Sequence, residues 1–148
     1  MEPPTSNPPH EHPIEVTEAH LDSLGHVNNA RYFEFFEAGR TTWYHTSGLI
    51  DLCKEAGYRD GDTVVVNVNC DFVRECRLGE KLTVATWPQR VGNKSLAVFQ
   101  RLLKDDGEIS AEAVVTSVVM DLNTRQAVPL PDTVKNLFPS GGGSTRSG

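Results

Sequence analysis

A carboxylate and several polar residues precede a strongly aromatic segment in the first quarter of the chain. Asp22 is followed by a turn glycine, Gly25, and then by His26, Asn28 and Asn29 at the predicted start of a helix. A carboxylate just ahead of a helix can act as a base or a nucleophile. The unpaired backbone N–H groups at the start of that helix attract developing negative charge. The spacing therefore predicts two halves of a hydrolytic site within about one turn of chain.

Asp22 is the principal candidate for a catalytic group, and the sequence leaves open whether it is a nucleophile or a general base. The structural alternative is a turn residue before Gly25 or a helix cap. His26 could position the substrate or a water, or it could hold the loop that carries Asp22. Asn28 is a candidate for the helix N-cap, a role that is compatible with an adjacent active site.

The helix that follows Asn28 is predicted from aromatic and small residues that recur at spacings of three and four. Thr46-Ser47-Gly48 is predicted to end it, with Gly48 as the C-cap, so that the helix is about 18 residues long. Its aromatic content predicts burial on most sides, with a curved sheet as the natural wrapper.

The rest of the core is predicted to be strand. A short strand precedes the helix, over residues 13–20. The segment from Val64 to Phe72 alternates apolar and polar residues with a period of two. Turns then separate strands predicted over residues 80–91, 94–104 and 108–121, as sequential antiparallel hairpins, and a short helix is predicted within 129–138. This order predicts an α+β domain with a five-stranded antiparallel sheet wrapped around one long central helix.

Composition predicts one globular domain over residues 13–138, a disordered N-terminal tail over 1–12 and a flexible C-terminal tail over 139–148. A net charge of −6 disfavours nucleic acid as a partner. The apolar runs are too short for a membrane span, and the N-terminus lacks the pattern of a secretory signal, so the cytoplasm is the expected location.

No metal or cofactor is expected. The three cysteines lack a Cys-x-x-Cys spacing, which argues against a zinc site. Glycine patterns that bind nucleotide phosphates are missing from the sequence. A Gly-x-Ser-x-Gly elbow is also missing, so a Ser/His/Asp hydrolase is disfavoured.

The pattern Asp-x-x-Gly-His-Val-Asn-Asn-x-x-Tyr, from Asp22 to Tyr32, followed by a Phe/Glu-rich helix, resembles the 4-hydroxybenzoyl-CoA thioesterase group of hotdog-fold acyl-CoA thioesterases. Weaker similarities follow at residues 79–82 and 92–96. The resemblance implies the hotdog fold and hydrolysis of acyl-CoA thioesters to free acid and coenzyme A. Acyl-carrier-protein thioesterases are resembled nearly as well, and a non-catalytic acyl-CoA-binding module remains a third hypothesis. A dehydratase is disfavoured because its His/Asp or His/Glu motif is not evident.

The same resemblance implies roles for individual residues. It implies that Asp22 attacks the thioester carbonyl or activates a water, and that the backbone N–H at Asn29 contacts the thioester oxygen. Lys94 and Ser95 are expected near the nucleotide and pantetheine arm of coenzyme A, and Arg90 could assist across the turn. An exposed hairpin with routine charges is the alternative for these three residues.

The sequence departs from the pattern of many relatives before Asp22. Glu18 and His20 stand where those relatives carry an arginine and a second acid. If His20 approached Asp22, the local charge would differ from the usual pattern. Glu37 is interpreted as a structural partner of Arg40 rather than as a catalytic carboxylate.

Two further expectations concern partners. Exposed strand edges need covering, and the family covers them by pairing subunits edge to edge, so a homodimer or homotetramer is implied. From Arg74 to Lys104 the chain carries seven basic residues against two acidic ones. This cationic segment is either a set of solvated strand faces or a site for an anionic ligand such as the phosphates of coenzyme A.

Overall fold

A computed structural model describes residues 2–58 and 63–139 of the chain. One antiparallel sheet curls around one long helix, which confirms the predicted α+β hotdog architecture. The strands are β1 His10–Glu15, β2 Thr63–Phe72, β3 Lys81–Val91, β4 Ser95–Lys104, β5 Ile109–Asp121 and β6 Gln126–Ala127. The helices are α1 Asn29–Thr46, α2 Leu49–Glu55 and α3 Asp132–Lys135, with a 3-10 turn at Glu18–His20.

The strand order is β1-β3-β4-β5-β2, and the two-residue β6 pairs with β5 as a sixth strand beyond the five predicted. The predicted run of sequential hairpins is correct for β3, β4 and β5 but wrong for β2, which pairs with β5. Alternation identifies a strand but not its neighbour, and here the loop of residues 73–80 carries the chain across the sheet. The backbone N–H groups of Val73 and Arg74 both donate to the Ser110 carbonyl and fix the start of that crossing. Strand β2 is therefore an edge strand.

Helix α1 starts where its cap predicts. The Asn28 side chain accepts a hydrogen bond from the Ala30 N–H at 2.9 Å, and the helix runs for 18 residues. Gly39 lets the helix approach the sheet closely, because an added Cβ would overlap the Val84 side chain. At the same contact the buried Gln100 side chain donates to the Phe36 carbonyl of α1 at 2.9 Å.

Burial on most sides of α1 was a wrong prediction. Its buried residues are Tyr32, Phe35, Phe36, Gly39, Arg40, Trp43 and Tyr44, whereas Glu34, Glu37 and Thr41 are exposed. Phe33 is 44% exposed in this single chain.

The remaining differences lie at the ends of elements. Strand β1 begins at His10, inside the predicted tail, and the 3-10 turn replaces the end of the predicted first strand. His10 is held by a hydrogen bond between its Nε2 and the Thr42 hydroxyl at 2.9 Å. Asn7 also contacts the sheet, since its carbonyl accepts a hydrogen bond from the Trp87 indole. The predicted C-terminal tail lies outside the described residues from position 140 onward.

Helix α2 was not predicted. Gly48 adopts a left-handed conformation with φ of 86°, which ends α1 and immediately starts the seven residues of α2. Helix α3 lies within the predicted segment of residues 129–138, with Asp132 as its first helical residue and Pro131 as the cap. Among the described residues, no helix is long and apolar enough to cross a membrane.

Candidate active site

The loop before α1 is a tight turn organised by Asp22. Its Oδ1 atom accepts the backbone N–H groups of Leu24 at 2.9 Å and His26 at 3.1 Å. The Asp22 N–H donates to the His26 carbonyl at 2.7 Å, and Gly25 supplies a positive φ of 80° at the tip. Asp22 is nevertheless exposed. The Asp22 carboxylate thus stabilises the turn before Gly25, as the structural alternative expected, and it is also accessible to a substrate.

The start of α1 presents a backbone donor beside this turn. Asn28 is the cap, and Asn29 is the first helical residue. The Asn29 N–H makes no hydrogen bond to another described residue. An unpaired N–H at a helix N-terminus carries partial positive charge and can bind an anion or a polarised carbonyl oxygen.

A cavity of about 560 Å³ brings these groups together with the end of β2. It is lined by Asp22, Leu24, His26, Val27, Asn28, Asn29, Tyr32, Phe72, Val73, Arg74 and Glu75. The cavity therefore combines a carboxylate, an imidazole and a free helix N-terminus with apolar walls. Such a set can hold a carbonyl compound and deliver a base or nucleophile to it.

Glu75 is a member of this site that the sequence did not predict. His26 Nδ1 lies 2.5 Å from Glu75 Oε2, with the two side chains 48% and 45% exposed. Glu75 also accepts a hydrogen bond from Arg77 at 3.1 Å. Hydrogen bonding from Arg77, with a further contribution from His26, holds the pKa of Glu75 below its usual value. In the sequence Glu75 was only one of two acids in a basic segment, because no local pattern links it to residue 26.

Tyr32 ties the loop after β2 to α1. Its hydroxyl accepts the Cys76 N–H at 3.2 Å, and its ring packs edge-on against Phe72. Burial, together with the neighbouring Cys76 thiol, raises the pKa of Tyr32 to about 12. The tyrosine of the sequence motif is therefore neutral, and it anchors the loop after β2 at the wall of the cavity. Its position in the motif was visible, but its partner at Cys76 is 44 residues away.

His20 does not form an ion pair with Asp22. Its Nδ1 atom accepts the Thr17 N–H at 2.9 Å, and its ring packs edge-on against Phe35. The hypothesis that His20 changes the charge beside Asp22 therefore gains no support from the geometry. Glu37 forms no ion pair within 4 Å among the described residues, although its charge acts on the buried Arg40, whose pKa is lowered mainly by burial.

The other predicted site residues lie at the opposite end of the sheet. Ser95 is opposite Val118 on β5, whereas Phe72 at the cavity is opposite Ala111. Seven residues of strand separate these positions, which is about 23 Å. Arg90 and Lys94 are exposed beside the same hairpin. Within one chain the structure does not bring Arg90, Lys94 and Ser95 to Asp22.

The cationic segment is largely neutralised by ion pairs. Four of its seven basic residues contact carboxylates: Arg74 with Glu108, Arg77 with Glu75, Arg101 with Glu112 and Lys104 with Glu80. The other three, Lys81, Arg90 and Lys94, form no ion pair with a described residue. Two of these three are on or near the β3–β4 hairpin. The sequence showed the basic excess but not the carboxylates that fold onto it.

A second, mostly apolar cavity of about 250 Å³ lies between α1 and β2. It is lined by Phe33, Glu34, Phe36, Glu37, Arg40, Val65, Val68 and Val115. The Phe33 ring contacts the Phe72 ring of the first cavity, with centroids 6.1 Å apart. The two cavities are therefore neighbours separated by an aromatic pair.

Comparisons with known proteins find thioesterases. The sequence profile described as the thioesterase-like superfamily matches residues 16–138. The long-chain acyl-CoA thioesterase FadM of Escherichia coli K12 is 36% identical over 118 residues, covering 79% of this chain and 87% of FadM. The acyl-CoA thioesterase YbgC of Haemophilus influenzae is 29% identical, covering 85% of this chain and 91% of YbgC. Among solved structures, YbaW of Escherichia coli, named a probable thioesterase, superposes with a TM-score of 0.70 at 32% identity, covering 86% of this chain and 95% of that one.

Proposed function

The chain belongs to the thioesterase-like superfamily, and we propose that this acyl-CoA thioesterase uses Asp22 as its general base or nucleophile. The observation that carries the proposal is the shared cavity of the Asp22 carboxylate and the unpaired N–H of Asn29. A thioester bound there would have a base on one side and a hydrogen-bond donor on the other. Membership of an enzyme family favours hydrolysis over non-catalytic acyl-CoA binding.

The chemistry follows from these two groups. The Asn29 N–H would donate to the thioester oxygen, and donors of this kind lower the barrier by about 3 kcal/mol each. As a general base, Asp22 would remove a proton from water as the water attacks the carbonyl carbon; the C–S bond then breaks, and the coenzyme A thiolate takes that proton. As a nucleophile, Asp22 would attack the carbonyl carbon itself, and the C–S bond would break to leave an acyl-Asp22 intermediate and the thiolate. Water would then hydrolyse the intermediate, and the proton released would pass to the thiolate.

The separation of about 23 Å along the sheet, from the Phe72 end at the cavity to the β3–β4 hairpin, supports a site shared between two subunits. Strand β2 has a partner on one side only among the described residues, and its exposed side chains include Val65, Val66 and Val68. If two β2 strands pair antiparallel across a twofold axis, the Val64 end of one lies beside the Phe72 end of the other. The hairpin of the partner subunit then approaches the Asp22 cavity. Arg90, Lys94 and Ser95 would bind the nucleotide end from there, in a homodimer or a homotetramer.

The acyl group would extend from the first cavity toward the second. The path passes Phe33 and Phe72, and the second cavity is walled by Phe36, Val68 and Val115. Apolar walls of this kind bind hydrocarbon by burying its surface. This arrangement supports an acyl chain that is mainly apolar.

An acyl-carrier protein is the second candidate donor of the acyl group. The observation that favours it is the exposure of Arg90 and Lys94, which form no ion pair with a described residue and would suit an acidic protein surface as well as phosphates. The cytoplasm, where either donor is found, stays the predicted location.

The proposal is tested with one acyl group presented in three ways, as acyl-CoA, acyl-pantetheine and acyl-carrier protein, with the free thiol measured. We expect the highest kcat/KM with acyl-CoA. A preference of more than tenfold for the carrier protein would select the second candidate. Turnover of none of the three above the spontaneous rate would contradict both.

A further inference from the structure

Glu75 and His26 form a contact that neither the motif nor the proposed chemistry of Asp22 requires. The Glu75 carboxylate lies 2.5 Å from His26 Nδ1, and both side chains line the cavity of Asp22. They come from separate parts of the chain, the turn before α1 and the loop after β2. The contact is therefore a product of the fold, not of local sequence.

The loop that carries Glu75 is fixed on both sides of it. On the N-terminal side, the Arg74 N–H donates to the Ser110 carbonyl, and the Ser110 hydroxyl donates to the Arg74 carbonyl at 2.7 Å. On the C-terminal side, the Cys76 N–H donates to the Tyr32 hydroxyl, and the Cys76 thiol contacts Ser110 at 2.9 Å. Few backbone positions are left for Glu75 to adopt.

The turn that carries His26 is fixed as firmly. The His26 N–H and carbonyl are both bonded to Asp22, which places the imidazole on the same short turn as the carboxylate. One ring nitrogen, Nδ1, faces Glu75, and the other, Nε2, makes no hydrogen bond to a described residue. In a neutral imidazole one nitrogen donates and the other accepts, and the partner of one decides the state of the other.

We propose that Glu75 is a positioning residue that holds the proton of His26 on Nδ1, so that Nε2 faces the active site as a hydrogen-bond acceptor. This inference rests on the proposed function of the Asp22 cavity. Arg77 supports it by keeping Glu75 ionised, as an acceptor that cannot compete for the proton.

The consequence for catalysis is the orientation of water. The attacking water has two hydrogens; Asp22 accepts one and removes it, and His26 Nε2 accepts a hydrogen bond from the other. The oxygen lone pair then points at the carbonyl carbon. If Asp22 is instead the nucleophile, its carboxylate carries the acyl group, and His26 Nε2 orients the water that hydrolyses this intermediate; the proton then passes to the Asp22 carboxylate that is released. Glu75 itself neither gains nor loses a proton.

An ordinary surface ion pair is the alternative. Ion pairs whose side chains are nearly half exposed contribute little to stability, because water and salt screen them. Stability measurements alone would not separate the two explanations, whereas turnover and the tautomer of His26 would.

The experiment compares the full-length wild type with Glu75→Ala, Glu75→Gln and the control Glu80→Gln. Glu80 lies on the same loop and pairs with Lys104, but it does not contact His26. Carboxylates that orient metal-binding histidines contribute about 10–100-fold to activity, and we take the same range for a histidine that orients water. We expect kcat to fall by about that factor in Glu75→Ala with KM within twofold, and to stay near the wild-type value in Glu80→Gln. Glu75→Gln keeps an oxygen that accepts from Nδ1 and should retain most of the activity.

Nitrogen-15 NMR of labelled imidazoles at about pH 8.5, above the ordinary histidine pKa, reads the tautomer directly. His26→Gln assigns the signal among the five histidines. We expect Nδ1 of His26 to carry the proton in the wild type and in Glu75→Gln, and Nε2 to carry it in Glu75→Ala. An unchanged tautomer in Glu75→Ala, or an equal loss of kcat in Glu80→Gln, would overturn the proposal. The tautomer is measured without substrate, so it decides the role of Glu75 even if the thioesterase proposal fails.

Discussion

Subunit pairing along β2 should be abolished by a charge on that strand. Val66 is 56% exposed in the single chain and lies at a bulge where β2 skips its register with β5. Val66→Glu should leave the subunit folded, because residue 66 is already in water there. In a twofold dimer the change occurs twice and places two carboxylates at one interface.

The magnitude can be estimated from burial. Fully burying a valine side chain contributes about 1.5–3 kcal/mol, so a half-exposed one contributes about 1 kcal/mol per subunit when covered. Two copies and the mutual repulsion of the carboxylates bring the loss to about 3–4 kcal/mol. Since about 1.4 kcal/mol is a factor of ten, the dimer Kd should rise about 100- to 1000-fold.

Sedimentation velocity across a range of protein concentrations measures this change. Leu78→Glu is the control, because Leu78 is 53% exposed on the loop between β2 and β3 and lies outside the edge strand. We expect Val66→Glu to dissociate and to lose thioester hydrolysis in parallel, and Leu78→Glu to do neither. A Val66→Glu monomer with wild-type kcat/KM would refute the shared site, and an unaltered dimer would refute pairing along β2.

Three further predictions concern individual residues. Gly39→Ala should lower the free energy of unfolding by about 1–3 kcal/mol in chemical denaturation, because the added methyl group overlaps Val84; an unchanged midpoint would mean that the helix can move away at no cost. The pKa of Tyr32 is about 12 in the folded protein and about 10 in the unfolded chain. Its protonated form therefore contributes fully to the free energy of unfolding below pH 10, and this contribution is lost as the pH rises toward 12. Between about pH 9.5 and 11, the melting temperature should therefore fall less steeply with pH in Tyr32→Phe than in the wild type. Parallel curves for the two proteins would contradict the raised pKa of Tyr32. Lys94→Glu should raise KM for acyl-CoA more than it lowers kcat, with the effect shrinking at high salt and absent for acyl-pantetheine; equal losses for both substrates would show that Lys94 does not contact the nucleotide.

The sequence was most informative where one element determines its own structure. The cap at Asn28, the 18 residues of α1 and the strand at β2 were predicted from local patterns, and each is observed. The pairing of β2 with β5 was mispredicted because strand order depends on the path of the loop of residues 73–80. Helix α2 was missed because seven residues after a glycine carry too short a pattern to identify a helix.

The candidate site divides along the same line. Asp22, His26 and Asn29 lie within eight residues of sequence, and the structure gathers them around one cavity. Glu75 could not be predicted, because it reaches the site only through the packing of the loop after β2 against the turn before α1. Within one chain the predicted hairpin residues lie at the far end of the sheet, and only the proposed pairing of two subunits would bring them to the cavity.

The charge that the cationic segment presents depends on residues outside it. Counting charges along residues 74–104 showed a basic excess, but Glu108 just before β5 and Glu112 on β5 lie outside the counted segment. Antiparallel pairing of β4 with β5 brings Glu112 directly opposite Arg101. Net charge in a window of sequence therefore overstates the charge that a ligand meets on the surface.

Hydrolysis of acyl-CoA by the wild type and by Asp22→Asn, followed by release of free coenzyme A thiol, tests the central claim most directly. Asparagine keeps the Oδ1 acceptor for the N–H groups of Leu24 and His26, so the turn stays intact while the base is lost. General-base catalysis contributes about 10²–10⁴-fold, and we predict that kcat falls by at least ~100-fold with an unchanged unfolding midpoint. Turnover by a folded Asp22→Asn protein at the wild-type rate would contradict the assignment of Asp22.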